Sequence, residues 1–271
     1  KVDAKGIHSG KPSYTGDFVP KDALIIKVLR SPHAQAKIKS IDTSKAKLIP
    51  GVEAIFTYED VPNTRFTLAG QTYPEPSAYD ALILDPVVRY VGDEVALVVA
   101  KDEATALKAM PLIKVEYEVQ KPVLDLRTAM DHETVVHPED DILNHIPVGQ
   151  DYKRNICVSY HKRVGDIEAE LAKCDYVVEG TYFDQATRQS AMEPFQSFGY
   201  IDHLGRIVIV SSTQIVFHVR RHIARALGIP ASKIRVIKPR IGGGFGSKQT
   251  ACTELMTAFV TWKLQKPCYL L

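Results

Sequence analysis

Four glycines fall within five residues late in this 271-residue chain, at Gly242, Gly243, Gly244 and Gly246. A tight turn needs one or two glycines, because only one or two of its residues take a positive φ. A denser cluster indicates a backbone that passes close to a ligand, with amide groups free to donate. The loop lies between a predicted strand over 233–238 and a predicted helix near Cys252. Amides in such a position attract anions, and Lys248 would add positive charge.

The common nucleotide-binding patterns do not fit this loop. The Walker pattern fails because Ser247 stands where a glycine should precede Lys248, and Gln249 follows it. The dinucleotide pattern G-x-G-x-x-G also fails at Ser247. The sequence therefore points to neither ATP nor NAD. A glycine-rich turn that binds nothing is the alternative to an anion or cofactor site.

The charge of the chain is nearly balanced, with 34 basic residues against 32 acidic residues. Such a balance creates no field that would draw the protein to nucleic acid or anionic lipid. The sequence also has no uninterrupted apolar run that approaches the ~18 residues of a membrane helix. We therefore expect neither a nucleic-acid partner nor a membrane partner.

The four cysteines contain no C-x-x-C pair; they are Cys157, Cys174, Cys252 and Cys268. This spacing argues against a zinc ribbon, an iron–sulfur cluster or a disulfide framework within the chain. We expect reduced, mostly buried thiols, as in a cytoplasmic protein.

Hydrophobic patterns predict a first region of short strands and one helix. The predicted strands lie over residues 23–29, 36–41, 52–57, 94–100 and 113–117, and the helix over residues 102–110. Residues 31–33 must form a hairpin or a corner between the first two strands. The loop 62–86 carries four prolines and is long enough to be functional or an interface.

Residues 122–154 show no sustained period and predict a linker, in which Glu139, Asp140 and Asp141 face water. A second region follows. It predicts helices over 166–173 and 214–227, strands over 176–183 and 233–238, and a hairpin over 197–211. The fold class is α+β, and the second region is expected to contain a mixed sheet.

Helix 214–227 carries residues that could bind other ligands. His218 and His222 stand four apart and could share a metal, but no third ligand accompanies them. Arg220, Arg221 and Arg225 could bind phosphates, but no second basic element supports them. Ordinary histidines and a solvated arginine face are the better predictions.

Glu193 lies among apolar residues in the stretch 191–195 (AMEPF). Such surroundings could raise the pKa of its carboxyl group and suit it to acid–base chemistry. The same surroundings are equally consistent with a structural carboxylate that has a buried partner. Both interpretations stay open at the level of sequence.

Five segments, taken in order, resemble the molybdenum-binding subunit of the xanthine dehydrogenase and aldehyde oxidase family. They are residues 31–34 (SPHA), 89–93 (RYVGD), 193–195 (EPF), 211–214 (SSTQ) and 242–246 (GGGFG). The resemblance implies an α/β-hammerhead domain over 1–121, an interdomain linker over 122–154 and the N-terminal part of a molybdopterin-binding domain over 155–271.

The resemblance also implies a reaction and its cofactors. Family members hydroxylate an N-heteroaromatic or aldehyde substrate, with water as the oxygen source and molybdopterin as the cofactor. We expect molybdopterin in its cytosine dinucleotide form with molybdenum, and [2Fe–2S] clusters and FAD on partner domains or subunits. The expected partners are these iron–sulfur and FAD subunits, the remainder of the molybdenum subunit and a small-molecule substrate. A non-catalytic interaction module, with the glycine loop only a turn, is the alternative.

Site residues follow from the resemblance position by position. Gln214 would bond an oxygen ligand of the metal, and Gln249 would contact substrate. The residues expected to line the cofactor are Gly243, Gly244, Phe245 and Gly246, with Glu193 and Lys248 supporting them from behind. Many xanthine enzymes have glutamate where Gln249 stands, which puts purine specificity in doubt. No direct metal ligand is expected here. The general base, a glutamate, is expected beyond residue 271, so the chain alone is predicted to be inactive.

Overall fold

The computed structural model describes residues 4–68 and 72–271, so part of the predicted loop 62–86 lies outside the described residues. These residues form ten strands: β1 Leu24–Arg30, β2 Ala36–Asp42, β3 Val52–Phe56, β4 Val87–Val88, β5 Glu94–Ala100, β6 Lys114–Val119, β7 Ser197–Ile201, β8 Ile207–Ser211, β9 Ile234–Ile237 and β10 Cys268–Leu270. They also form six α-helices: α1 Ala4–His8, α2 Ser44–Lys47, α3 Glu103–Ala109, α4 Ile167–Leu171, α5 Val216–Leu227 and α6 Glu254–Leu264. No described helix has the length and apolar character needed to cross a membrane.

Seven strands form one sheet, in the order β3-β5-β1-β10-β7-β8-β9. The three others form a small sheet, in the order β4-β2-β6. In the large sheet β10 runs parallel to β1 and antiparallel to β7, and β8 runs parallel to β9. The predicted α+β class and mixed sheet are therefore confirmed. The large sheet also joins strands from both predicted domains, because β10 lies between β1 and β7.

Strand β5 shows why the first region folds as its sequence predicts. Its residues are buried from Val95 to Ala100, which matches a run of apolar residues with no polar alternation. Asp102 then ends the strand and begins α3, because its carboxylate accepts the Thr105 N–H at 2.7 Å. Residues 31–33 form a corner rather than a hairpin, since β1 and β2 belong to different sheets.

Helix α5 covers one face of the large sheet together with α6. The predicted apolar stripe is confirmed, with Val219, Ile223 and Leu227 all buried in the main core. The helix ends at Gly228, which has a φ of 65° and takes the left-handed conformation that closes many helices. Gln214 lies just before the first turn rather than within it.

Gly199 on β7 packs closely against α6. A Cβ at this position would lie 2.4 Å from Thr261 Oγ1 and 3.0 Å from Thr257 Cγ2. Both threonines are fully buried, so neither can move aside freely.

We expect Gly199→Ala to lower the free energy of unfolding by about 1–3 kcal/mol, because overpacking forces α6 away from the sheet. Urea unfolding followed by circular dichroism measures the change. Gly180→Ala is the matched control, since Gly180 is exposed and its nearest neighbour is the end of the Tyr182 side chain. Equal stability of the two variants would contradict the expected contact.

The predicted strand over 176–183 is wrong. These residues are exposed, form no strand and pair with no other described residues, and Tyr182 is 93% exposed. The sequence has the β-branched and aromatic residues of a strand, but a strand also needs a neighbour that pairs with its backbone. Local preference alone therefore leaves this segment without regular structure.

The predicted solvent exposure of the acidic linker residues is only partly correct. Asp140 and Asp141 are exposed, but the Glu139 side chain is largely buried and pairs with Arg89. Arg65 lies 3.9 Å from the same carboxylate. These contacts hold the linker against the segments on both sides of β4.

All four cysteines are free thiols, as expected. Cys268 is buried, and burial raises the pKa of its thiol to about 12. Cys157 and Cys174 are exposed, so the prediction of mostly buried thiols is wrong for these two.

Candidate cofactor-binding site

Gln214 enters the site from the end of β8. Its backbone N–H donates to the carbonyl of Lys248 at 2.9 Å, which ties the start of α5 to the glycine loop. Its side-chain Oε1 is buried and has no hydrogen-bond partner in the described part of the chain. A Cβ on Gly244 would lie 2.5 Å from that oxygen. Gly244 is therefore a glycine because the Gln214 amide packs directly on its backbone.

The glycine loop presents a row of unpaired backbone amides. The N–H groups of residues 243–246 have no acceptor among residues 4–68 and 72–271. Gly243 and Gly246 take positive φ values of 100° and 87°, and Phe245 takes 51°. Positive φ is uncommon for a residue with a side chain and often marks a functional backbone. Consecutive free amides of this kind form a concavity that binds anions.

Glu193 and Lys248 form a buried ion pair behind the loop. Glu193 Oε2 accepts the Lys248 ammonium at 3.0 Å and the Gly242 N–H at 2.7 Å. The two side chains are only 9% and 2% exposed. Glu193 thus has buried partners, which favours the structural interpretation of its apolar surroundings. The Glu193 carboxylate neutralises the charge of Lys248, so an anion at this loop would meet the backbone N–H groups and not a free ammonium group.

Two arginines of helix α5 have partners within the described chain. No group of three potential metal ligands occurs within the described ranges. Arg221 donates to the buried carboxylate of Glu75 at 2.9 Å, and the Arg225 guanidinium lies over the Tyr79 ring. The prediction of a solvated arginine face is therefore wrong for Arg221. Sequence reasoning missed Glu75, which lies in the proline-rich loop and gives no local signal.

His222 is buried beside the same carboxylate. Neither of its ring nitrogens has a hydrogen-bond partner within the described chain, and the nearer one lies 3.9 Å from Glu75. Burial lowers the pKa of His222 to about 4, an effect that Glu75 opposes and that Arg221 and His218 reinforce.

We expect acid to destabilise the protein through His222. The unfolded chain takes up a proton below the ordinary pKa of about 6.5, whereas the folded protein does not until about pH 4. Between pH 7.5 and pH 5 the free energy of unfolding should fall by about 2 kcal/mol from this residue. Glu75 does not contribute in that range, because hydrogen bonds from Arg221 and Tyr79 outweigh burial and lower its pKa. Urea unfolding across this range should show a smaller loss in His222→Leu, and an unchanged loss would contradict the expectation.

Comparison with known proteins identifies both regions. Residues 9–121 match the family model described as "Aldehyde oxidase and xanthine dehydrogenase, a/b hammerhead domain". Residues 148–271 match the model described as "Molybdopterin cofactor-binding domain". The chain belongs to the xanthine dehydrogenase and aldehyde oxidase family. It resembles the molybdenum-binding subunit, as the five sequence segments predict.

Individual members of the family align with nearly the whole chain. The probable hypoxanthine oxidase XdhD of Escherichia coli K12 is 39% identical over 98% of the chain and 30% of that protein. The aldehyde oxidoreductase structure from Desulfovibrio gigas has a TM-score of 0.84 and 26% identity, over 99% of this chain and 29% of that one. The structure of quinoline 2-oxidoreductase from Pseudomonas putida 86 has a TM-score of 0.83 and 28% sequence identity. The match covers 99% of this chain and 33% of that one. The chain thus spans about a third of the length of these relatives.

The site of this family member suits molybdopterin chemically. Molybdopterin carries phosphate, and its metal carries oxygen ligands, so it needs hydrogen-bond donors that the protein has not already used. The free N–H groups of residues 243–246 supply such donors. The Gln214 side chain packs beside them, and its Nε2 donates to no residue in the described part of the chain. Gln249 lies at the end of the same loop and is half-buried, with its N–H donating to the Gly246 carbonyl at 3.1 Å.

Proposed function

We propose that this chain forms part of a molybdenum hydroxylase. The reaction is oxidative hydroxylation of an N-heteroaromatic or aldehyde substrate, with water as the oxygen source. The observation that carries this proposal is the row of free backbone N–H groups at 243–246 beside the Gln214 side chain, whose Oε1 is buried and has no partner among the described residues. Fixed donors stabilise anionic oxygen groups more strongly than mobile water does, because they need no reorganisation.

Each site residue then has a defined task. The Gln214 amide donates to an oxygen ligand of the metal, and the backbone from Gly243 to Gly246 lines the cofactor. Bound molybdopterin supplies the two-electron oxidation. Gln249 contacts the substrate with a neutral amide, which can form hydrogen bonds but carries no charge.

The Glu193–Lys248 pair keeps these donors in place. Lys248 holds Gln214 through its backbone carbonyl and holds Glu193 through its ammonium group. Glu193 in turn binds the first amide of the loop, at Gly242. We propose that the pair acts through position and takes no part in proton transfer.

The finer assignments belong to the same proposal. The cofactor is the cytosine dinucleotide form of molybdopterin, as the family resemblance implies. The [2Fe–2S] clusters and FAD lie on partner domains or subunits, which agrees with the lack of a C-x-x-C pair here. The free thiols support a reducing, cytoplasmic compartment. We propose domain boundaries at 1–121, 122–154 and 155–271, and the family matches over 9–121 and 148–271 support a division after residue 121.

Molybdenum analysis of the intact enzyme tests the proposal. Purified protein should contain about one molybdenum per copy and should oxidise at least one member of a panel of a purine, nicotinate and an aldehyde, with an artificial electron acceptor. A metal-free complex that binds its partners normally would favour the interaction module instead. Residues 1–271 alone should hold no stoichiometric molybdenum, because the general base and other cofactor contacts are expected elsewhere. An active, metal-loaded 1–271 fragment would contradict that expectation.

A further inference from the structure

The Glu193–Lys248 pair continues into a buried chain of hydrogen bonds that leads away from the site. Glu193 Oε1 accepts the side-chain amide N–H of Gln196 at 2.8 Å. The Gln196 Oε1 accepts the hydroxyl of Tyr269 at 2.6 Å. Gln196 is buried, and a Cβ on Gly16 would lie 3.3 Å from its oxygen, so a turn of the N-terminal segment covers this pair.

The chain of bonds permits only one orientation of the Gln196 amide. The carboxylate of Glu193 can only accept, so the NH₂ group must point towards it. The amide oxygen is then left for Tyr269, which must donate. Burial raises the pKa of the Tyr269 hydroxyl, with Glu193 adding to the effect, so the hydroxyl keeps its proton. Donors and acceptors linked in series polarise and strengthen one another.

Tyr269 stands on the strand that joins the two regions of the large sheet. It pairs with Ile25 of β1 on one side and with Phe198 of β7 on the other. Both neighbouring strands fix its backbone, so its hydroxyl is a rigid point of attachment. The glycine loop, by contrast, has no strand or helix of its own over residues 241–250.

We propose that Tyr269 and Gln196 are positioning residues that anchor the glycine loop to strand β10 through Glu193. Their effect on turnover rests on the proposed function, whereas their effect on the loop does not. Without the Tyr269 hydroxyl, Gln196 loses the bond that fixes its oxygen. The Glu193 carboxylate then holds Gly242 and Lys248 less firmly.

Tyr269→Phe tests the proposal in the intact enzyme, because it removes one oxygen and keeps the packing ring. Gln196→Met is a second variant that breaks the same chain one residue closer to the loop. Tyr200→Phe is the matched control: Tyr200 lies on neighbouring β7, stacks on Phe198 and makes no side-chain hydrogen bond within the described residues. For each variant, hydrogen–deuterium exchange is measured in peptides that cover the glycine loop (241–250) and, as a reference, strand β8 (207–211). The kcat and KM of each variant are measured as well.

We expect exchange over 241–250 to rise about three- to tenfold in Tyr269→Phe and Gln196→Met, as for the loss of one neutral hydrogen bond, with 207–211 unchanged. Turnover should fall by a similar factor with KM unchanged, and Tyr200→Phe should match the wild type. Unchanged loop exchange in both variants would overturn the proposal, as would an equal rise in Tyr200→Phe. A wild-type enzyme without molybdenum would refute the proposed function, but the exchange comparison would still decide the anchoring.

Discussion

Lys248→Met lowers the free energy of unfolding by about 3–5 kcal/mol, the expected cost of leaving a carboxylate buried without its ionic partner. The Lys248 side chain is 2% exposed and lies 3.0 Å from Glu193 Oε2. Methionine fills much of the same space, so the loss comes from the charge and not from a cavity. Thermal and urea unfolding of the two proteins measure the change.

Two further variants show whether the ion pair is the cause. Lys162→Met removes an exposed lysine that has no ionic partner among residues 4–68 and 72–271, and it should leave stability unchanged within about 0.5 kcal/mol. Adding Glu193→Gln to Lys248→Met should restore part of the lost stability, because burying a neutral amide costs less free energy than burying an unpaired carboxylate. Strictly additive losses in the double variant would show that the two residues do not depend on each other.

Gly244→Ala reduces turnover by about 100-fold while the fold is retained, as expected when a group at the reacting centre moves by about 1 Å. The new Cβ would lie 2.5 Å from Gln214 Oε1 and 2.6 Å from its Cδ. Both atoms are at the end of a flexible side chain, so the Gln214 amide moves and the backbone does not. Unfolding free energy should therefore change by less than about 1 kcal/mol.

The Gln214→Ala background isolates the contact. In that background the Gly244→Ala substitution should have no further effect on turnover, because the amide that it displaces is already absent. Molybdenum content gives a second measurement that does not depend on the substrate chosen. Full activity and full metal content in Gly244→Ala would contradict the role assigned to the Gln214 amide.

Features with short-range signals could be predicted from the sequence. The apolar run of β5 and the stripe of α5 lie within single segments, and Asp102 and Gly228 mark the element ends that the structure has. The glycine loop has a local signal as well, because four glycines in five residues need a close neighbour wherever they occur. The sequence could therefore identify the loop and Gln214 as site residues, but it could not show that they are in contact.

Features that depend on distant partners could not be predicted. Glu75 gains its role from Arg221, which lies 146 residues away. The three residues of β10 gain their role from β1, near the other end of the described chain, and from β7. At residues 176–183 the sequence predicts a strand that the structure lacks, because no partner strand lies beside this segment. Strand preference describes a surface that fits beside another strand, so pattern alone cannot show whether that other strand is present.

Strand β10 also limits how the two domains can be exchanged between relatives. A chimaera that takes residues 1–121 from one relative and the rest from another must still align Leu24, Ile25 and Ile26 with Cys268, Tyr269 and Leu270. A slip of one residue would turn Tyr269 to the opposite face of the sheet. The two regions therefore share one sheet, and the useful crossover points for engineering lie outside β1, β7 and β10.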